Sequence, residues 1–385
     1  MIVKRGCSQC GECLDVCPVY RRFGREEYSP KAKRLLMEPL SGDFANPQAG
    51  GAEFVWEQMR ELARLCAGCG RCRNVCARKL STVDLLAEVR AANPHWTQQF
   101  WDVWIRRMGP AWLSFGYMAA VVPDWCAPEF LKPMLDTARG LVDRGEARPW
   151  ARLAKDPAVH VDTARPVTLF SGCTARNVRG KWTEKAGALL RAWGYTLLAA
   201  PDFGCCGGTM HHAGRLDTQK QMEAHNIAVW RALGKPRVAV FCASCRHALA
   251  GYADTALQDD EAKAWTQGLT PVSTLLVGAV PEPQTDKPAE YGYHQPCHWD
   301  ADKDSAWLKA LFPCQIQGME PCCGMGGILQ MSDAALSRKM AVACLGGFPS
   351  RVQHILTGCS GCVMQLNAAA SEGVKISHWL DVVSV

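Results

Sequence analysis

The sequence predicts an α+β multidomain protein, with a helical N-terminal module rich in cysteine followed by two tandem α/β domains with parallel sheets. Three observations lead there. Apolar residues around the N-terminal cysteine runs recur at helical spacing. From residue 166 onward, short strand-like apolar runs alternate with helical patterns, and the whole series occurs twice. In each copy the cysteines fall just past the carboxyl ends of the strand-like runs, where open α/β sheets build their sites. With 385 residues, 48% of them hydrophobic, the chain can form two or three domains with cores of their own, so its 21 cysteines are not needed as staples.

Cys7, Cys10, Cys13 and Cys17 stand as C-x2-C-x2-C-x3-C, with Pro18 following, and Cys66, Cys69, Cys72 and Cys76 repeat the spacing with Ala77 following. This is the signature of a two-cluster ferredoxin. Three thiolates on one tight turn grip three corners of a cubane, while the fourth, a helical turn on, serves the other cluster. The spacing therefore assigns Cys7, Cys10, Cys13 and Cys76 to one 4Fe–4S cluster and Cys66, Cys69, Cys72 and Cys17 to a second. Zinc is the alternative for clustered cysteine, but its spacings differ from these. The opening residues, MIVKRGCSQC, carry no long apolar stretch of the secretory kind, so reduced thiols are expected.

Between the runs lie 48 residues that include EFVWEQMRELARLC, with Phe54, Val55, Met59 and Leu62 at helical spacing. After the second run, STVDLLAEVRAAN opens with a capping-box pattern from Ser81 to Asp84. Residues 1–94 thus read as one helical module holding both clusters. Residues 95–165 form a connector rich in tryptophan: Trp96, Trp101, Trp104, Trp112 and Trp125. Trp101, Trp104 and Met108 share a helix face, which packs between modules, docks a partner subunit or meets a membrane surface. Residues 133–165 read as a helical or irregular linker.

The remainder is an internal repeat, 166–280 and 289–385, joined by PEPQTDKP. In the first copy PVTLFSGC ends at Cys173, the helix TEKAGALLRAWG follows, and YTLLAAPDFG leads to Cys205 and Cys206. A helix near 216–233 and the strand RVAVF then deliver Cys242 and Cys245. In the second copy EYGYHQPC ends at Cys297, a helix surrounds SAWLKALF, and Cys322 and Cys323 come next. The helix ALSRKMAVACLGG and the run RVQHILTG deliver Cys359 and Cys362. Each copy brings together five thiols, more than one cubane uses. Adjacent cysteines cannot close an unstrained disulfide with each other. Gly207, Gly208, Gly324, Gly326 and Gly327 let the backbone approach whatever is bound. Cys126, Cys314 and Cys344 fit no motif and read as packing residues, with Cys314 a possible stand-in for Cys297. His211, His212, His294 and His298 flank the cysteine groups as hydrogen-bond partners or proton donors.

The N-terminal module resembles the α-helical ferredoxin of succinate dehydrogenase and heterodisulfide reductase subunits. The pattern C-x31-CC-x35-C-x2-C from Cys173 to Cys245 resembles the cysteine-rich CCG domain of heterodisulfide reductase and of the iron–sulfur subunits of glycolate oxidase, D-lactate dehydrogenase and anaerobic glycerol-3-phosphate dehydrogenase. The second copy keeps all five cysteines and the 35-residue interval, but Cys297 and Cys322 are separated by 24 residues rather than 31. The resemblance implies up to two further, non-cubane 4Fe–4S clusters in which adjacent cysteines ligate neighbouring irons.

No G-x-G-x-x-G follows a strand with a downstream acid, and there is no P-loop, so flavin and nicotinamide are not expected in this chain. The most apolar stretch, AWLSFGYMAAVV, is too short to span a bilayer. The net charge of +6 comes without a Lys/Arg run, so no nucleic-acid partner is implied. The resemblance implies a cytoplasmic electron-transfer subunit, with peripheral attachment at the inner face of the membrane as an option. Its electrons would come from a flavoprotein that oxidises D-lactate or glycolate and pass to a quinone or a redox protein. The alternative is a catalytic subunit that reduces a disulfide at the CCG sites, as heterodisulfide reductase does. The turn GCSGCVMQL resembles the hydroxy-acid group more.

Overall fold

The computed structural model describes residues 6–37, 52–129, 131–142, 148–199, 202–284, 287–298, 303–319 and 322–385. They divide into two units. The first takes Met1–Arg107 together with Gly208–Gln219 and Cys322–Ala341; the second takes Met108–Gly207, Lys220–Pro321 and Val342–Val385.

Among its described residues the first unit is helical. Pro18–Phe23 begins on Cys17, whose sulfur accepts from the Tyr20 amide, and Pro18 sits at the first helical position, where no amide proton is needed. No helix follows Cys76, where Ala77 replaces that proline. Ala52–Arg64 contains the expected periodic face: Met59 is buried and Leu62 packs on the same cluster, while the side chains of Phe54 and Val55 lie outside the described ones. Ser81 caps Thr82–Ala92 by accepting from the Asp84 amide, as the sequence predicts. The reciprocal half of the capping box is absent, because the Asp84 carboxylate instead meets His211 at 3.1 Å. This helix buries Val83, Leu85, Leu86 and Val89; each such side chain removed from water contributes about 1.5–3 kcal/mol. A second cluster packs Cys17, Val19, Leu65 and Ala67 with Cys322, Leu329, Leu336 and Met340. The stretches that follow the two vicinal cysteine pairs are therefore built into the helical unit.

The second unit carries the sheets. In chain order its strands are β1 (Ala151–Lys155), β2 (Val167–Phe170), β3 (Arg237–Val240), β4 (Leu269–Pro271), β5 (Ala279–Pro283), β6 (Tyr291–Tyr293), β7 (Gln315–Gln317), β8 (His354–Thr357), β9 (Lys375–His378) and β10 (Val383–Ser384). One sheet runs β2-β3-β4 and another β7-β6-β8-β9, parallel throughout. Parallel strands are covered on both faces and so read as continuous apolar runs; β2 is buried at all four positions and β8 at three. The repeat shows in the strand order. Leu197 bridges to Val167 in parallel at the edge of β2, the place that β7 takes beside β6. The run YTLLAAPDFG thus occupies a strand position while forming, among its described residues, only that bridge.

The segment expected as a helical or irregular linker includes a helix, Lys132–Arg139, but also β1. β1 pairs antiparallel with β5, which contains the start of PEPQTDKP, and parallel with β10, forming a third sheet. Of the connector tryptophans, Trp101, Trp104 and Trp112 are buried, whereas Trp96 and Trp125 are exposed. No helix among the described residues is long and apolar enough to cross a membrane.

Candidate metal centres

All 21 cysteines are free thiols. In the first unit, Cys17 lines one cavity with Cys66, Cys69 and Cys72, so the geometry brings together the four sulfurs that the spacing assigns to one cluster. Burial pushes the Cys69 thiol up to about 12, and the Thr82 hydroxyl hydrogen-bonds to Cys72. Cys7, Cys10 and Cys13 form the second group, where burial first, then the neighbouring sulfurs Cys72, Cys7 and Cys10, lift Cys13 to about 11. The Arg78 guanidinium donates to the Gly6 carbonyl, which ties the chain just past Cys76 to the residue before Cys7.

The two runs share a local device. Gln9 and Gly68, each two residues past the first cysteine, adopt left-handed backbone with φ 61° and 58°, and each amide donates to that cysteine's sulfur at 3.4 Å. Donors aimed at ligand sulfurs raise the potential of an iron–sulfur cluster.

Lys33 was not singled out by any motif. It is 2% exposed, lines the Cys17 cavity and donates to the carbonyls of Tyr28 (2.7 Å) and Leu65 (2.5 Å). Desolvation pulls its pKa down, and the sulfurs of Cys66 and Cys17 pull it back. Arg90, half-buried, donates to the His212 carbonyl at 2.7 Å and to that of Ala63. A lone buried cation is costly, so Lys33 beside the cavity sulfurs, with Arg90 near Cys66, fits a negatively charged group there. Within PKAKRLLM and AEVRAAN nothing marks either residue, because both patterns read as solvated helix faces.

In the second unit the first cysteine-rich copy assembles its five thiols. Cys173 lies in the helix Gly172–Val178 just past β2, and Cys242 caps Ala243–Ala250 just past β3. Side-chain hydrogen bonds connect Cys173 to Cys205, Cys205 to Cys206, Cys206 to Cys245, and Cys245 to Cys242. Gly172, with φ 73°, is required here: a Cβ at that position would lie 2.8 Å from the Cys245 sulfur. The Cys173 contact pulls the Cys205 thiol down, but the Cys206 contact and burial outweigh it and hold that thiol at about 12. Cys242 goes the other way, well below an ordinary thiol, because Cys245, Cys359, Ser244 and Ser360 all direct hydrogen bonds at its sulfur. Cys173, Cys205 and Cys245, which are shifted upward, remain protonated unless a cation displaces their protons. An all-sulfur donor set of this kind suits iron–sulfur clusters, zinc or copper(I) rather than hard cations.

Of the second set, Cys297, Cys359 and Cys362 belong to the second unit and Cys322 and Cys323 to the first; all but Cys297 are buried. Cys359 caps Ser360–Ala369 just past β8, as Cys242 does past β3. Gly207 and Gly324, which follow the two vicinal pairs, share left-handed φ values of 76° and 82°.

Cys344 is buried and approaches His294 Nδ1 at 3.3 Å, in line with packing. Cys126 and Cys314 are exposed, which corrects their reading as packing residues; Cys314 begins the turn into β7 with φ 73°. His211 bridges Asp84 and Gln219, His212 is buried, and His298 stacks on His247 at 4.4 Å.

Residues 4–80 match the model of the 4Fe-4S dicluster domain, and residues 167–250 and 291–367 match that of the cysteine-rich domain. The chain is 23% identical to a probable glycolate oxidase iron–sulfur subunit of Bacillus subtilis, an alignment covering 94% of this chain and 87% of that protein. It is 22% identical to the glycolate oxidase iron–sulfur subunit of Escherichia coli, over 99% of this chain and 93% of that protein. A subunit of the dihydromethanophenazine:CoB–CoM heterodisulfide reductase of Methanosarcina acetivorans is 24% identical over 62% of this chain and 55% of its own length. With a dicluster domain and two cysteine-rich domains in that order, the chain belongs to the iron–sulfur proteins related to glycolate oxidase iron–sulfur subunits and to this heterodisulfide reductase component.

Proposed function

We propose that this chain is the iron–sulfur electron-transfer subunit of a flavin-dependent 2-hydroxy-acid dehydrogenase acting on D-lactate or glycolate, and that it passes electrons from a partner flavoprotein to a quinone or a redox protein. The observation that carries the reading is the similarity to two glycolate oxidase iron–sulfur subunits along nearly the whole of both chains. In it, Cys7, Cys10, Cys13 and Cys76 hold one cubane 4Fe–4S cluster, and Cys66, Cys69, Cys72 and Cys17 hold another. Cys173, Cys205, Cys206, Cys242 and Cys245 hold a non-cubane cluster, and Cys297, Cys322, Cys323, Cys359 and Cys362 a second.

Bound clusters of this kind supply one-electron carriers. The chain's own residues set how they work. Lys33 places positive charge at the Cys17 cavity and Arg90 acts on the Cys66 sulfur, which favours an added electron, and their bonds to carbonyls hold that charge in position. The amides of Gln9 and Gly68 do the same through dipoles. Burial of Cys206, Cys242 and Cys245 keeps water from the first cysteine-rich set.

A second reading, a catalytic subunit that reduces a disulfide, draws on the match to the heterodisulfide reductase component and on the intact five-cysteine sets. Anaerobic co-purification separates the two. A flavoprotein partner that reduces this chain's clusters with D-lactate or glycolate supports the first; reoxidation of the isolated, reduced chain by a disulfide supports the second. The purified protein is expected to hold about 16 iron, four clusters of four. Iron near eight with stoichiometric zinc would remove the cysteine-rich clusters from the reading.

A further inference from the structure

The CxxC motif of one cysteine-rich copy faces that of the other within the second unit. The Ala243 amide donates to the Gly358 carbonyl at 2.9 Å, which holds the two turns together. Across this seam Ser360 Oγ lies 3.1 Å from Cys242 Sγ, and Ser244 Oγ lies 3.2 Å from Cys359 Sγ. Ser244 is slightly farther, 3.4 Å, from Cys242 of its own copy. The arrangement is reciprocal. Each serine sits in the turn of one CxxC and reaches the first cysteine of the other.

We infer that Ser244 and Ser360 are positioning residues that donate crosswise, each hydroxyl to the ligand sulfur of the opposite copy, so that each cysteine-rich cluster has its potential set by a residue of its twin. The inference rests on the reading that each CxxC ligates a cluster. The chemistry follows from the partners. A thiolate bound to iron has lone pairs but no proton, so the hydroxyl must be the donor. A donor on a ligand sulfur stabilises the more negative, reduced state and raises the potential. The sequence motif C-A-S-C is matched by C-S-G-C, so the two serines occupy different positions in their turns. Only the facing of the two turns makes them equivalent.

The test uses the full chain, purified anaerobically, with iron analysis and EPR-monitored redox titration. Cys205→Ser and Cys322→Ser first assign the signals of the first and second copies by removing them; if neither removes a signal or iron, the cluster reading fails, and the serine inference fails with it. With the signals assigned, Ser360→Ala is expected to lower the potential of the first-copy cluster and Ser244→Ala that of the second, with iron content retained. Ser360→Thr and Ser244→Thr, which keep the hydroxyl, should restore most of each shift. A shift confined to the serine's own copy, or none in either, overturns the inference while leaving the clusters in place. A second measurement needs no variant: pulsed EPR in H2O and D2O should show an exchangeable proton coupled to each cluster, and its absence from both would also overturn the inference.

Discussion

At the residue scale, the vicinal cysteines carry the sharpest expectation. Cys205 and Cys206 are both engaged with other thiols of the first set, so neither is spare. Replacing either by Ser should remove that set's iron while both ferredoxin signals persist; full iron and an unchanged spectrum in one variant would reduce that cysteine to a packing residue. Lys33 makes a different prediction. Lys33→Met removes a buried positive charge beside Cys17 and Cys66, and the potential of that cluster should fall by roughly 40–90 mV, the equivalent of about 1–2 kcal/mol for one electron. A redox titration in which that signal stays within about 10 mV of the parent would show that carbonyls already neutralise the ammonium.

At the element scale, the helical turns set which sulfurs face one another. Cys17 stands at the start of Pro18–Phe23 and faces the cavity of Cys66, Cys69 and Cys72. Cys17→Ser should therefore disturb the cluster of the second run, and Cys76→Ser that of the first; loss confined to each residue's own run would show that the ligands do not cross. A second element, the turn Trp379–Val382, depends on a neutral imidazole. His378 accepts from the Leu380 amide at Nδ1 and meets the Phe241 carbonyl at Nε2, 3.0 Å away, so Nε2 carries the proton. Burial holds its pKa at about 4, against smaller opposing effects of the Cys242 sulfur and the Phe241 carbonyl. The unfolded chain takes up the proton near 6.5, so this stabilisation is complete above that pH and is lost as pH falls toward 4. His378 alone should cost about 2 kcal/mol between pH 7.5 and pH 5. Thermal unfolding of His378→Asn, which keeps a cap but does not titrate there, should show a flatter pH dependence over that range, and an equal slope would clear His378 of the effect.

At the scale of the whole molecule, chain order and spatial grouping differ. Gly208–Gln219 follows the first vicinal pair and Cys322–Ala341 begins with the second, yet both pack in the helical unit. His211 on Asp84, and Leu329, Leu336 and Met340 beside Cys17, hold them there. The second unit is knit across its two copies in the same way: the Trp182 indole donates to Asp381 at 2.7 Å, Lys185 donates to the carbonyls of Leu380 and Asp381, and His378 joins Phe241. Neither copy is a free-standing bead on a string.

The cysteine spacings, the helical character of the first module, the repeat and the strands β2, β3, β6 and β8 were all legible in the sequence, since each depends on residue type and short-range period. β4, β7 and β9 were not. LTP, QIQ and KISH carry no pattern of their own and are strands only because a parallel neighbour pairs with them. The same holds for β1, whose partners lie more than 120 residues away. Lys33, Arg90, Ser244 and Ser360 escaped for a related reason. Their neighbours in sequence say nothing of what they touch, and only long-range packing carries a lysine to Leu65, an arginine to His212 and each serine to the other copy's cysteine. Sequence alone determined which atoms can bind iron, because ligation is a property of side chains and their local spacing. Tertiary structure decided which charges and hydroxyls those sulfurs face, because that is set by contacts between segments far apart in the chain.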